Sequence, residues 1–195
     1  MEQPKKRCDI RDIERNASAI SRPATDKEKM NTNNQKKRHI LSLLVDNEPG
    51  VLARVAGLFS GRGFNIESLC VAETMDPAVS RMTLVTTGDM AVLEQIKKQL
   101  NKLVNVIKVT DFTDTPFVQR EMVLLKVRAK PEHRAEILRT VDIFRSRVVD
   151  VSPEYYTVEV TGDENKLSAF LSLLKPTGIK EVSRTGPVAL AREKK

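Results

Sequence analysis

Asp46-Asn47-Glu48-Pro49-Gly50-Val51-Leu52 joins an apolar run, HILSLLVD, to a segment whose large apolar residues fall at helical spacing. A strand-to-helix loop of this kind leaves unpaired backbone N–H groups at a helix N-terminus, where they and the helix dipole favour an anion such as a carboxylate. Pro49 pre-sets the turn, and Gly50 lets a ligand approach the backbone closely. Asn47 offers both a donor and an acceptor to an amino-acid head group. A turn of this composition also ends a strand and starts a helix with no ligand, so the loop alone leaves both readings open.

Other chemistry is scarce. Two histidines, His39 opening a strand and His133 starting a helix, are little material for acid–base work near neutrality, and both read as structural. Cys8 and Cys70 stand too far apart and in too different surroundings for a disulfide framework or a metal site, which points to a reduced, cytoplasmic compartment. No glycine-rich phosphate loop follows a strand and no nucleophile elbow is present, so neither catalytic residues nor metal ligands are assigned.

The chain has 195 residues and a net charge of +7. Residues 1–38 hold 11 basic and six acidic side chains, a net of +5, which leaves +2 for the remaining 157. The basicity is therefore a property of a polar N-terminal extension, read as a disordered tail, and not of a folded nucleic-acid surface. Its six acids argue against an organellar transit peptide, and no apolar stretch is long enough to span a membrane. With hydrophobic residues at 40%, aromatics at 4% and no Trp, the core must be built from Val, Ile and Leu.

The elements that position the loop repeat. From His39 the order is strand (HILSLLVD), helix (Val51, Leu52, Val55, Leu58 and Phe59 on one stripe, stopped by Gly61 and Gly63), two strands split at Asp76-Pro77, a helix opened by Gly88-Asp89, and a strand (VNVIKVTDF). The same order returns about 82 residues later, from Glu121, with helices from Pro131 to about Arg145 and from Asp163. The fold class is therefore α+β, two tandem ferredoxin-like βαββαβ domains at 39–113 and 121–192, joined by a linker at 114–120. RNA-recognition domains share this order, but they stack bases on paired aromatics, and here Phe64 stands alone while Tyr155 and Tyr156 face opposite sides of a strand.

The stretch DNEPGVLARVAGLFSGRGFNIESLCVAET resembles the opening of an ACT domain, in the form found in small regulatory subunits of acetolactate synthase (acetohydroxy-acid synthase). SRMTLVTTGD, QREMVLLKVRA, DIFRSRVVDVSPE and VEVTGDENKLSAFLSLLKPTGIKEVSRTGPVALAR follow in that family's order, so the resemblance covers residues 38–192. It implies a non-catalytic subunit that activates a large catalytic subunit and confers feedback inhibition by valine, with leucine or isoleucine as alternative effectors. The thiamine diphosphate, Mg and FAD it implies belong to that partner, which condenses two pyruvates to 2-acetolactate with loss of CO2; this chain is expected to carry no cofactor. The resemblance also implies a homodimer through the ACT domain, with the effector in the interface. Asn47, Pro49, Gly50, Val51 and Leu52 match the effector loop, and Asn65 and Ile66 match the facing strand of the other protomer.

On that assignment the N–H groups of Gly50 and Val51 take the carboxylate, Asn47 and Asn65 bind head-group polar atoms, and Leu52 and Ile66 line the aliphatic pocket or belong to the core. The second domain enters its first helix through AKPEHRAEIL, without the glycine, so a second copy of the site is not expected there. Two other classes compete. A free-standing amino-acid sensor would act on another target, and an RNA-binding protein would shift RNA in a salt-dependent way.

Overall fold

A computed structural model describes residues 37–193 of the chain. The disordered basic tail expected at 1–38 lies outside the described residues, apart from Lys37 and Arg38, which already belong to strand β1 (Lys37–Asp46). They pair with Gly88 and Thr87, because the partner strand is long enough to offer two further rungs.

The first half runs β1, α1 (Val51–Ser60), β2 (Ile66–Glu73), β3 (Val79–Gly88), α2 (Met90–Leu100) and β4 (Val106–Asp111). Its sheet is antiparallel in the order β2-β3-β1-β4, which leaves β2 and β4 as edges. Strand alternation sends Leu41, Leu43 and Val45 of β1 to one face, where they meet Val55 and Phe59 of α1 and Leu93, Ile96 and Leu100 of α2. Burying a side chain of this size contributes about 1.5–3 kcal/mol, and the stripe spacing of the helices makes that burial possible. Phe64 packs edge-on against Phe59, 6.4 Å between centroids, so it is a core residue and not a base-stacking platform. His39 is buried, with Nε2 3.1 Å from the Gly88 carbonyl and Nδ1 3.1 Å from Thr113 Oγ1.

The second half repeats the plan with β5 (Phe117–Arg128), a 3-10 turn (Pro131–His133), α3 (Arg134–Ile143), β6 (Arg147–Val151), β7 (Tyr155–Gly162), α4 (Glu164–Gly178) and β8 (Ile179–Arg184). The sheet order β6-β7-β5-β8 matches that of the first half, and Val123, Leu125 and Val127 pack on Ile137, Leu167, Phe170 and Leu174. Tyr156 faces this core while Tyr155 faces away, where Lys180 Nζ lies 4.3 Å from its ring centroid. Helix α3 is shorter than the sequence suggests, because the chain turns at Arg145 with φ 49°.

Two features depart from a plain tandem repeat. Phe117–Arg120, read as linker, is the start of β5, and it pairs antiparallel with a ninth strand, β9 (Val188–Ala191). This β5–β9 ribbon lies against the outer face of the first sheet, the face turned away from its helices. Ser42, Thr83 and Val85 point to that face and are nonetheless buried. The halves are also pinned by Arg38, which pairs with Glu67 at 3.2 Å and with Glu164 at 2.5 Å. Among the described residues no helix is long and apolar enough to cross a membrane.

Candidate functional site

The loop after β1 is built by distant parts of the first half. Asn47 N–H donates to the Ala78 carbonyl at 2.8 Å, and Asn105 Nδ2 reaches both Asp46 Oδ2 and Glu48 Oε2 at 3.2 Å. Asn105 Oδ1 in turn accepts from Arg54 Nη1. Bracing from the β2–β3 turn and the α2–β4 connection fixes where Pro49 and Gly50 present their backbone.

Gly50 caps α1 with φ 85° and ψ −8°, a left-handed conformation that strains any other residue. No side chain caps α1 and its first turn holds no acid, whereas Asp89 Oδ1 caps α2 through Val92 N–H and Asp163 Oδ1 caps α4 through Lys166 N–H. The first-turn N–H groups of α1 therefore have no side-chain acceptor, as is also the case at α3, and a positive dipole end of this kind suits a carboxylate. Val51 N–H has a long internal contact, 3.4 Å to the Glu48 carbonyl.

The side chains divide differently from a simple pocket list. Val51 points into the core and is 2% exposed, while Leu52 stands 44% exposed beside the loop. Asn47 is already engaged: its Nδ2 donates to Glu73 Oε1 at 3.1 Å and to the Pro77 carbonyl at 2.9 Å, and its Oδ1 accepts from Ser80 Oγ at 3.0 Å. Its amide therefore ties β1 to the β2–β3 hairpin. Glu73, Pro77 and Ser80 were not legible as site residues, because they lie 26 to 33 positions away and carry no motif.

Asn65 is exposed, with its carbonyl accepting from Thr86 Oγ1 at 2.7 Å, and Ile66 is half-buried against the first core. Within one chain these two lie at the far end of α1 from Gly50, about 15 Å away for a ten-residue helix. The structure of a single chain does not bring the two groups together. Four cavities of about 320 to 440 Å³ are lined by other residues.

Elsewhere an ion pair braces the second sheet. Glu121, buried in the second half, holds Arg184 through two bonds of 2.7 and 2.8 Å, and that hydrogen bonding, against burial, raises the guanidinium's already high pKa. Among the described residues no cluster of His, Cys, Asp and Glu has the arrangement of a metal site.

Comparisons with known proteins match both halves. A family profile described as "AHAS small subunit-like ACT domain" matches residues 41–108, and one described as "Small subunit of acetolactate synthase" matches residues 120–193. The acetolactate synthase small subunit of Aquifex aeolicus is 54% identical over 161 residues, covering 82% of this chain and 83% of that one. The probable acetolactate synthase small subunit of Methanothermobacter thermautotrophicus is 56% identical over 155 residues, covering 79% and 92%. The crystal structure of the Thermotoga maritima small subunit superposes with a TM-score of 0.74 at 44% identity, covering 81% of this chain and 99% of that one.

Proposed function

The chain belongs to the family of acetolactate synthase small subunits, and on that premise we propose that it raises the activity of a thiamine-diphosphate-dependent catalytic subunit and makes it sensitive to valine. The chemistry, condensation of two pyruvates to 2-acetolactate and CO2, belongs to that partner together with its Mg and FAD. This chain supplies a binding site and an assembly surface.

The observation that carries the regulatory reading is the placement of the two half-sites. Strand β2 is an edge strand with an open row of backbone donors and acceptors. It starts at Asn65-Ile66 and ends at Glu73, which hydrogen-bonds Asn47 of the effector loop. Antiparallel pairing of two β2 edges about a two-fold axis sets the start of one strand beside the end of the other. Asn65 and Ile66 of one protomer then face Asn47, Pro49, Gly50 and Leu52 of its partner. The carboxylate of an aliphatic amino acid docks at the uncapped α1 N-terminus, its ammonium meets Asn65 and the Asn47–Glu73 pair, and its side chain lies between Leu52 and the partner's Ile66.

A ligand shared by two chains couples binding to dimerisation, since whatever stabilises the pair also tightens the site. Reconstitution tests the reading: acetolactate formation by the catalytic subunit is measured with and without this chain, across valine concentrations. Activation by the chain and its loss with valine are expected. A catalytic subunit indifferent to the chain would sink the assignment, and a dimer dissociation constant unmoved by saturating valine would sink the interface site.

A further inference from the structure

The β5–β9 ribbon does not close completely on the first sheet. Between them lies a cleft of about 400 Å³, at the small end of the range for ligand sites and at a junction of two halves, where such sites concentrate. Its walls are apolar on both sides: Cys70 and Ala72 from the outer face of β2, and Val118, Val188 and Leu190 from the ribbon. The ribbon register explains the wall, because Val118 stands directly opposite Leu190 and Arg120 opposite Val188, so all four side chains share one face. Val118, Val188 and Leu190 remain 39%, 49% and 59% exposed there, although Ser42, Thr83 and Val85 on the same sheet face are covered.

The charge around the cleft is uneven. Arg81 and Arg120 both line it, and among the described residues neither has a carboxylate within salt-bridge distance. Arg81 Nη1 donates to Ser42 Oγ at 3.2 Å and Arg120 Nη1 to the Gln119 carbonyl at 2.7 Å, which leaves most of each guanidinium's donors unused. One acid, Glu73, also lines the cleft, and its Oε1 is taken by Asn47. Two cations against one anion leave a surplus of a single positive charge beside an apolar trough.

We infer that this cleft binds a small aliphatic monocarboxylate, its chain lying between β2 and the ribbon and its carboxylate on Arg81 and Arg120. One negative charge neutralises the surplus; the zwitterion of an amino acid does not, and a neutral alcohol leaves both guanidiniums unpaired. The site shares Glu73 with the loop at Gly50 but takes its carboxylate on other residues, and it does not depend on the regulatory reading. Because its walls come from both halves, occupancy favours the arrangement in which the ribbon lies on the sheet.

Cys70 reports occupancy directly, since its free, half-buried thiol lines the cleft. The experiment uses the full chain with Cys8→Ser, so that one thiol remains, and follows alkylation of Cys70 by iodoacetamide with hexanoate, norleucine or hexanol present. At ten times its dissociation constant hexanoate should slow alkylation about tenfold by mass action, while norleucine and hexanol do so only at far higher concentration. Arg81→Gln should weaken hexanoate protection roughly tenfold and leave any hexanol protection unchanged. Ala72→Leu, which fills the trough, should abolish protection with normal thermal unfolding, and Gly50→Asp should retain it. Alkylation unaffected by hexanoate would overturn the inference. Equal protection by hexanoate and hexanol would also overturn it, as would protection lost in Gly50→Asp but kept in Ala72→Leu.

Discussion

Gln119 holds its Oε1 buried with no hydrogen-bond partner among the described residues, and an unsatisfied buried acceptor costs about 1–3 kcal/mol. Gln119→Met keeps the shape and removes the acceptor, so it should stabilise the chain by about 1 kcal/mol in urea titration; a loss would show that the oxygen has a partner after all. At the loop proposed to hold the effector, Asn47 is a poor place to test binding, because Asn47→Ala also breaks its bonds to Glu73, Pro77 and Ser80. Gly50 is cleaner: a Cβ there meets nothing within 4 Å, so a substitution carries only the left-handed strain of about 1–2 kcal/mol. Gly50→Asp should leave the chain folded and erase the rise in melting temperature given by valine. Asp111 supplies a pH signature. Burial opposes its ionisation, but donors from Thr113 and the Lys97 ammonium outweigh burial and hold its pKa below the ordinary value. A depressed folded pKa means a contribution present above the unfolded value, about pH 4, and lost as pH falls through the folded one. Lys97, raised chiefly by its bond to Glu94, acts in the opposite sense and loses its contribution only as pH rises through its folded pKa. Asp111→Asn should therefore flatten the acid limb of the stability profile, by less than about 1 kcal/mol for a partly exposed pair.

On the proposed pairing, strand β2 is the edge through which the first half assembles. Val71, on its helix-facing side and 40% exposed, sits where a second β2 would pack, and a lysine there is the standard defence of an edge. Val71→Lys should shift sedimentation toward monomer and remove the valine response with it; a variant that dimerises as before would move the interface to another edge. The elements themselves were largely legible from the chain. Asp89 and Asp163 announce α2 and α4 because an N-cap acts through its own side chain, and the Val51, Val55, Leu58, Phe59 stripe declares α1 through spacing alone. What escaped is long-range pairing. Phe117–Arg120 looked like linker and Val188–Ala191 was given no strand within the second domain, since each is a strand only because the other is there, some 70 positions away. The bonds of Asn47 escaped in the same way: its residue type gave a donor and an acceptor, but the groups that occupy its amide come from a distant hairpin.

Across the whole chain, the junction of the halves turns on Gly186, between β8 and β9. Its φ is 76°, and a Cβ built on it would collide with Ser68 Oγ of β2, so the turn rests on the first sheet and a side chain fits only if that hydroxyl or the turn gives way. Gly186→Ala should then suffer twice, from left-handed strain of about 1–2 kcal/mol and from a clash that lifts the ribbon. Ser68→Ala removes the oxygen but leaves its own Cβ 3.3 Å from the added carbon, a contact that a small shift relieves. The double variant should recover the clash component and keep the strain, which gives a favourable coupling in a double-mutant cycle of unfolding free energies. Additivity would mean that the Ser68 hydroxyl swings aside without cost or that turn and sheet do not touch in solution. Coupling would mean that the turn presses on β2 in solution, so that the second half is held by the same sheet that carries Asn47 and leads into Gly50.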